Sequence, residues 1–225
     1  GGGRTLEATP VEVLVSHTWT LSTMGKADAA LFHGVALQAR DNVGELHAKS
    51  LSALAWSFAT SCIVDHPLFD AIGMEACTKM KNFAPSSIAN LVWSFATVSH
   101  DVAELFKACA QEAQTKLKGF ASQDLANFAW AYAALGYSDQ RLFHAIADEA
   151  VAKRRSFAPN ELMALMWAYP RLGVTHLELF QTVMDELVVH LGRSRGHGGR
   201  ARSQANAPLA PLARGGGMEV DASEH

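Results

Sequence analysis

Phe120-Ala121-Ser122-Gln123-Asp124-Leu125-Ala126-Asn127-Phe128-Ala129-Trp130-Ala131-Tyr132-Ala133-Ala134-Leu135-Gly136 places apolar side chains at helical spacing, with Leu125, Phe128, Tyr132 and Leu135 on one face. Ser122 reads as the starting cap and Gly136 as a left-handed stop, which predicts a helix over about 122–135. Gly136-Tyr137-Ser138-Asp139 then reads as a turn. Beyond it Leu142, Phe143, Ile146 and Ala150 share one face of a second helix, over about 139–154. Neither helix can bury its apolar face alone, so this pair predicts a unit that must stack on copies of itself.

The copies are in the chain. Its five tryptophans, Trp19, Trp56, Trp93, Trp130 and Trp167, stand 37 residues apart, and other columns keep that register. Twelve and thirteen residues after the tryptophans come Leu31-Phe32, Leu68-Phe69, Leu105-Phe106, Leu142-Phe143 and Leu179-Phe180. Five before them lie Leu14, Leu51, Ile88, Leu125 and Leu162; two after lie Leu21, Phe58, Phe95, Tyr132 and Tyr169. The fold class is therefore all-α: an α-solenoid of five helix-turn-helix repeats over 8–192 (8–44, 45–81, 82–118, 119–155 and 156–192). An N-terminal extension, 1–7, precedes it. The Gly/Arg/Pro-rich stretch 193–225 has no periodicity and reads as a disordered tail. Both end repeats are irregular. Thr9 replaces the bulky apolar residue ten before Trp in the first, and Pro170 in the last predicts a kinked or shortened helix.

Residues 8–192 carry 13 Lys+Arg against 18 Asp+Glu, and the whole chain has a net charge of -3, so general attraction to polyanions is excluded. Any grip on a nucleic acid must come from a local arrangement. Cys62, Cys77 and Cys109 have no C-x-x-C spacing, which points to a reducing compartment without disulfides or zinc. No apolar run reaches the length of a membrane span. The first residues, Gly1-Gly2-Gly3-Arg4, suggest a fragment or processed product, leaving any address unreadable.

Phe83-Ala84-Pro85-Ser86-Ser87-Ile88-Ala89-Asn90-Leu91-Val92-Trp93-Ser94-Phe95-Ala96, together with the stretch 120–136, resembles the heptatricopeptide and octotricopeptide repeats of organellar RNA-binding solenoids. These are related to the leucine-rich helical region of FAST-kinase-like proteins and to a subunit of the mitochondrial RNA-editing substrate-binding complex. The resemblance covers about 8–192, and the period favours the heptatricopeptide form. It implies single-stranded RNA and other ribonucleoprotein subunits as partners, a role in organellar RNA processing, stability or translation, and the mitochondrial matrix as location, with the plastid as alternative. Such proteins often end in a nuclease-like RAP domain, which nothing after Gly192 could supply.

On a helical wheel the first helix of each unit turns its apolar columns into roughly one third of the circumference. Trp lies nearly opposite, with the positions seven and three before it. Of these polar ladders, Lys49, Ser86, Gln123 and Asn160 stand seven before Trp, and Asn90 and Asn127 three before; all are candidates to face bases, because amides and hydroxyls pair with unpaired base edges. A tryptophan fixed in every unit is read as a structural anchor wedged between repeats rather than as a stacking platform. Lys79, Lys116 and Lys153 follow Glu75, Glu112 and Glu149 by four residues and read as helix-end pairs. Lys81, Lys118 and Arg155 have no such partner and are the candidate phosphate contacts.

No catalytic residues, metal ligands, cofactor site or small-molecule substrate site are read from the sequence. The ten histidines fall in unrelated columns, and Cys109 shares a core column with Val35, Ile72, Ile146 and Val183. The competing reading is a protein-protein interaction scaffold of helical-repeat type. The apolar end Leu187-Val188-Val189-His190-Leu191 would then meet a partner or a further segment.

Overall fold

A computed structural model describes residues 9–196. Among them are ten α-helices and no strand: α1 Val11–Thr23, α2 Ala29–Asp41, α3 Ala48–Thr60, α4 His66–Lys79, α5 Pro85–Thr97, α6 Ala103–Lys116, α7 Ser122–Leu135, α8 Gln140–Ala152, α9 Pro159–Arg171 and α10 Leu177–Gly196. Odd-numbered helices start every 37 residues and pack against each other in sequence, α1 on α3 on α5 on α7 on α9. Even-numbered helices form the second layer. Four short 3₁₀ turns, Val43–Glu45, Met80–Asn82, Leu117–Gly119 and Arg154–Ser156, lead from each of the first four repeats into the next.

The core lies between the layers. Phe32, Phe69, Phe106 and Phe143 are completely or almost completely buried, as are Leu51, Ile88, Leu125 and Leu162. Small residues let the odd-numbered helices approach closely: Ala55, Ala59, Ala89, Ala96, Ala126, Ala129 and Ala131 are all buried. Ser57 and Ser94 are buried among them, and each hydroxyl donates to the carbonyl four residues back, Ala53 at 2.7 Å and Asn90 at 2.6 Å. Tyr132 and Tyr169 reach across the layers to the carbonyls of Phe106 and Phe143, at 2.6 and 2.9 Å.

Each odd-numbered helix ends at the same column. Gly25, Gly136 and Gly173 there have φ of 63°, 78° and 65°, and Cys62 and Ser99 take φ of 55° and 53°. The following amide reaches back to the helix, as Tyr137 N does to the Tyr132 carbonyl at 2.9 Å, which satisfies an orphan acceptor. Asp28, Asp65 and Asp139 then cap α2, α4 and α8 through the amides of Leu31, Leu68 and Leu142.

Three details differ from the sequence expectations. Ser122 is the first residue of α7 rather than its cap; its hydroxyl donates to the Ser156 carbonyl at 3.0 Å, while Asp124 accepts from the Ala121 amide at 2.9 Å. Pro170 does not shorten α9, which keeps 13 residues like α5, because it stands one residue before the helix end. The last helix also continues to Gly196, past the expected boundary at 192; the rest of the stretch read as a disordered tail lies outside the described residues, as does the extension 1–7.

Candidate nucleic-acid interface

The odd-numbered helices leave one face uncovered by the second layer, and along it runs a groove of ≈ 940 Å³ from α1 to α7. Its walls are the ladders seven and three before Trp, Glu12, Lys49, Ser86 and Gln123 with Ser16, Ala53 and Asn90, together with Trp19 and Trp56. Of the candidate base-facing residues, Lys49 and Ser86 are exposed, and Gln123 and Asn90 are half-buried in the wall. Asn160, on α9, is exposed and stands beyond the residues that line the groove. Asn127 differs from its counterpart Asn90: it is only 7% exposed and sunk into the inner layer.

The tryptophans are not equivalent. Trp93 and Trp130 are 5% and 6% exposed, as wedges should be, and the Trp130 ring stacks on that of Trp167 at 6.2 Å between centroids. Arg171 covers Trp167, its guanidinium carbon 4.5 Å from the ring centroid. The Trp93 indole N–H is buried without a hydrogen-bond partner among the described residues. Trp56 is half-buried, however, and Trp19 is 49% exposed, so at the first repeat the column is groove surface instead of an interior wedge. Helical spacing alone put Trp beside the polar ladders; the size of the residue argued for burial in every unit, and in the first, second and fifth units the neighbouring side chains do not supply it in full.

The two basic columns divide. Lys79 Nζ lies 2.8 Å from Glu75 and donates to the carbonyls of Gly44 and Leu46 at 2.7 and 2.9 Å. Lys116 does the same with Glu112 and the carbonyls of Lys81 and Phe83, and Lys153 with Glu149 and those of Lys118 and Phe120. This column is a clamp that ties each repeat to the 3₁₀ turn of the one before. The Glu pairing was visible at i to i+4 spacing, but the carbonyl acceptors, 33 and 35 residues away, were not. Lys81, Lys118 and Arg155 stand on those turns, exposed and without an ion pair among the described residues. They form a row of free cations where the odd-numbered helices begin, outside the groove lining itself.

Burial raises the pKa of Asp124 in the groove wall, against the Ala121 amide and Lys153, which lower it. Burial likewise holds the Cys109 thiol far from ionisation, in the core column expected for it. Among the described residues no three His, Cys, Asp or Glu side chains come together as metal ligands, and no helix is long and apolar enough to cross a membrane.

The family model of the RNA-editing substrate-binding complex 6 protein matches residues 4–193, which takes in all five repeats. The chain belongs to the RNA-editing substrate-binding complex 6 family. No curated protein matches it. The chain that carries the groove and the basic row thus belongs to a family whose name places its members in a complex that binds the substrate of RNA editing.

Proposed function

We propose that this chain is a non-enzymatic scaffold that binds single-stranded RNA within a mitochondrial RNA-editing substrate-binding complex. The observation that carries this reading is the polar ladder Lys49, Ser86, Gln123 with Asn90 along one continuous groove, at one position per repeat. A solenoid that meets successive bases with successive repeats needs such a ladder, and amides and hydroxyls both donate to and accept from unpaired base edges. Lys81, Lys118 and Arg155, exposed beside it, supply phosphate contacts, and the net negative body keeps the affinity moderate and dependent on this row.

Family membership supports the mitochondrial location and lends nothing to the plastid alternative. The 37-residue spacing of helix starts fits the heptatricopeptide form of the repeat. A protein-binding scaffold is the rival reading, favoured by the exposed Met184, Val188 and Leu191 on the last helix.

The test is binding to a randomised pool of single-stranded RNA, with sequencing of what is retained. The proposal expects a retained motif whose preference at one base flattens in Asn90→Ala without a change in salt dependence, because a neutral amide displaces no counterions. Retention of no RNA by the folded protein would leave the protein scaffold as the better reading.

A further inference from the structure

We infer that the first repeat is a stacking site for one unpaired amino-bearing base, adenine foremost, held on the indole of Trp19. This rests on the RNA-binding reading above and assigns the ligand class of one end of the same groove.

Three observations carry it. Trp19 is 49% exposed and lines the groove, whereas the same column is 5% and 6% exposed at Trp93 and Trp130. A tryptophan face open to a groove is a platform on which any base can stack. Around it, at the helical neighbours three before, one after and four after, stand Ser16, Thr20 and Thr23, all three in the groove lining. Each hydroxyl gives its proton to its own helix: Ser16 to the Glu12 carbonyl at 3.1 Å, Thr20 to that of Ser16 at 2.9 Å, Thr23 to that of Thr20 at 2.8 Å.

The oxygens therefore offer only lone pairs to a ligand, and the Glu12 carboxylate beside them, which already accepts from the His47 amide and the Ser50 hydroxyl, adds acceptors and no donor. A stacking face rimmed by acceptors selects a base with an exocyclic amino group. Uracil presents two carbonyl oxygens and one ring N–H, so it can give this rim a single proton flanked by two acceptors, where an amino group gives two. Adenine and guanine have the larger stacking face, and adenine alone of the two carries an amino group without a carbonyl. Lys49, exposed in the same groove and without an ion pair among the described residues, is the cation at hand for the adjoining phosphate.

The experiment uses the full chain with oligoadenylate and oligouridylate of equal length, read by binding and by tryptophan fluorescence. Oligoadenylate is expected to bind more tightly and to quench. Trp19→Ala should weaken it by roughly tenfold, the loss of one stacked base, with the helical circular-dichroism signal unchanged. Trp19→Phe should abolish the quench while keeping part of the affinity. Thr20→Val, which keeps the shape and removes the acceptor, should shrink the preference for adenylate while the quench remains. If RNA binds but Trp19→Ala binds as well as the parent, if the quench survives Trp19→Phe, or if uridylate is preferred, the inference falls and the RNA-binding reading stands. If neither oligonucleotide binds but the randomised pool is retained, the inference alone falls; if no RNA binds, both fall.

Discussion

Lys116 Nζ donates to the carbonyl oxygen of Lys81 at 2.8 Å, so the turn that presents the exposed Lys81 ammonium is held by the lysine one repeat later. The same relation joins Lys153 to Lys118. Lys116 and Lys153 thus fix the backbone of Lys81 and Lys118, whose own ammonium groups are exposed. Removing the clamp should cost stability: Lys116→Met leaves the carbonyls of Lys81 and Phe83 without this donor and Glu112 unpaired. The expected loss is about 1–2 kcal/mol in urea unfolding, since the site is partly open to water that can replace the donor. An unchanged midpoint would show that the clamp is ornamental.

The free column should behave oppositely. Changing Lys81, Lys118 and Arg155 together to Ala leaves stability within about 0.5 kcal/mol, because all three are exposed and unpaired. It should reduce the salt slope for single-stranded RNA by roughly 2, at about 0.7 per phosphate contact, while base preference survives. Binding with unaltered salt dependence would remove this row from the interface.

Trp130 and Trp19 share a column and should differ in energetics. Trp130, 6% exposed and stacked on Trp167, should cost about 3–5 kcal/mol on truncation to Ala. Trp19, half exposed, should cost about 1 kcal/mol or less. Thermal melts of the two variants compare them directly, and equal losses would contradict the graded burial.

Ser99 occupies with φ of 53° the left-handed position that Gly25, Gly136 and Gly173 fill in other repeats. Its side chain is exposed and, among the described residues, makes no hydrogen bond that compensates. Ser99→Gly should therefore stabilise the chain by about 0.5–1 kcal/mol, the relief of the Cβ penalty less the added entropy of the unfolded glycine. A destabilised variant would mean that Ser99 packs in a way its exposure does not suggest.

The three tyrosines set an alkaline limit. Burial pushes the Tyr132 and Tyr169 phenols far up, and burial together with its hydrogen bond to Asp101 raises Tyr137 to about 12. Unfolded tyrosine ionises near pH ~10. Above that value the folded chain holds more protons than the unfolded one, so stability falls as pH rises. In an alkaline titration the phenolate absorbance should appear together with loss of helical circular dichroism. Phenolate forming at its ordinary pH in a chain that stays helical would refute the burial of these groups.

The sequence by itself determined the repeat, because a helix period of apolar residues and a tryptophan register are local patterns copied five times along one chain, with a glycine stop recurring in three of the five copies. It placed α7 over the residues the structure gives it and put the polar ladders and Trp on one face. It also separated Lys79, Lys116 and Lys153 from Lys81, Lys118 and Arg155, since a Glu four residues earlier marks the first set. Tertiary structure decided what each member of a ladder does. Asn90 opens on the groove while Asn127 is buried, and Trp19 is half exposed while Trp93 is enclosed, although each pair shares a column. Burial depends on the side chains that adjoining helices bring against a residue, and these vary from repeat to repeat while the register does not. The clamp was hidden for the same reason: its acceptors are backbone carbonyls of the preceding repeat, and every residue has one, so only the stacking shows which of them a lysine reaches.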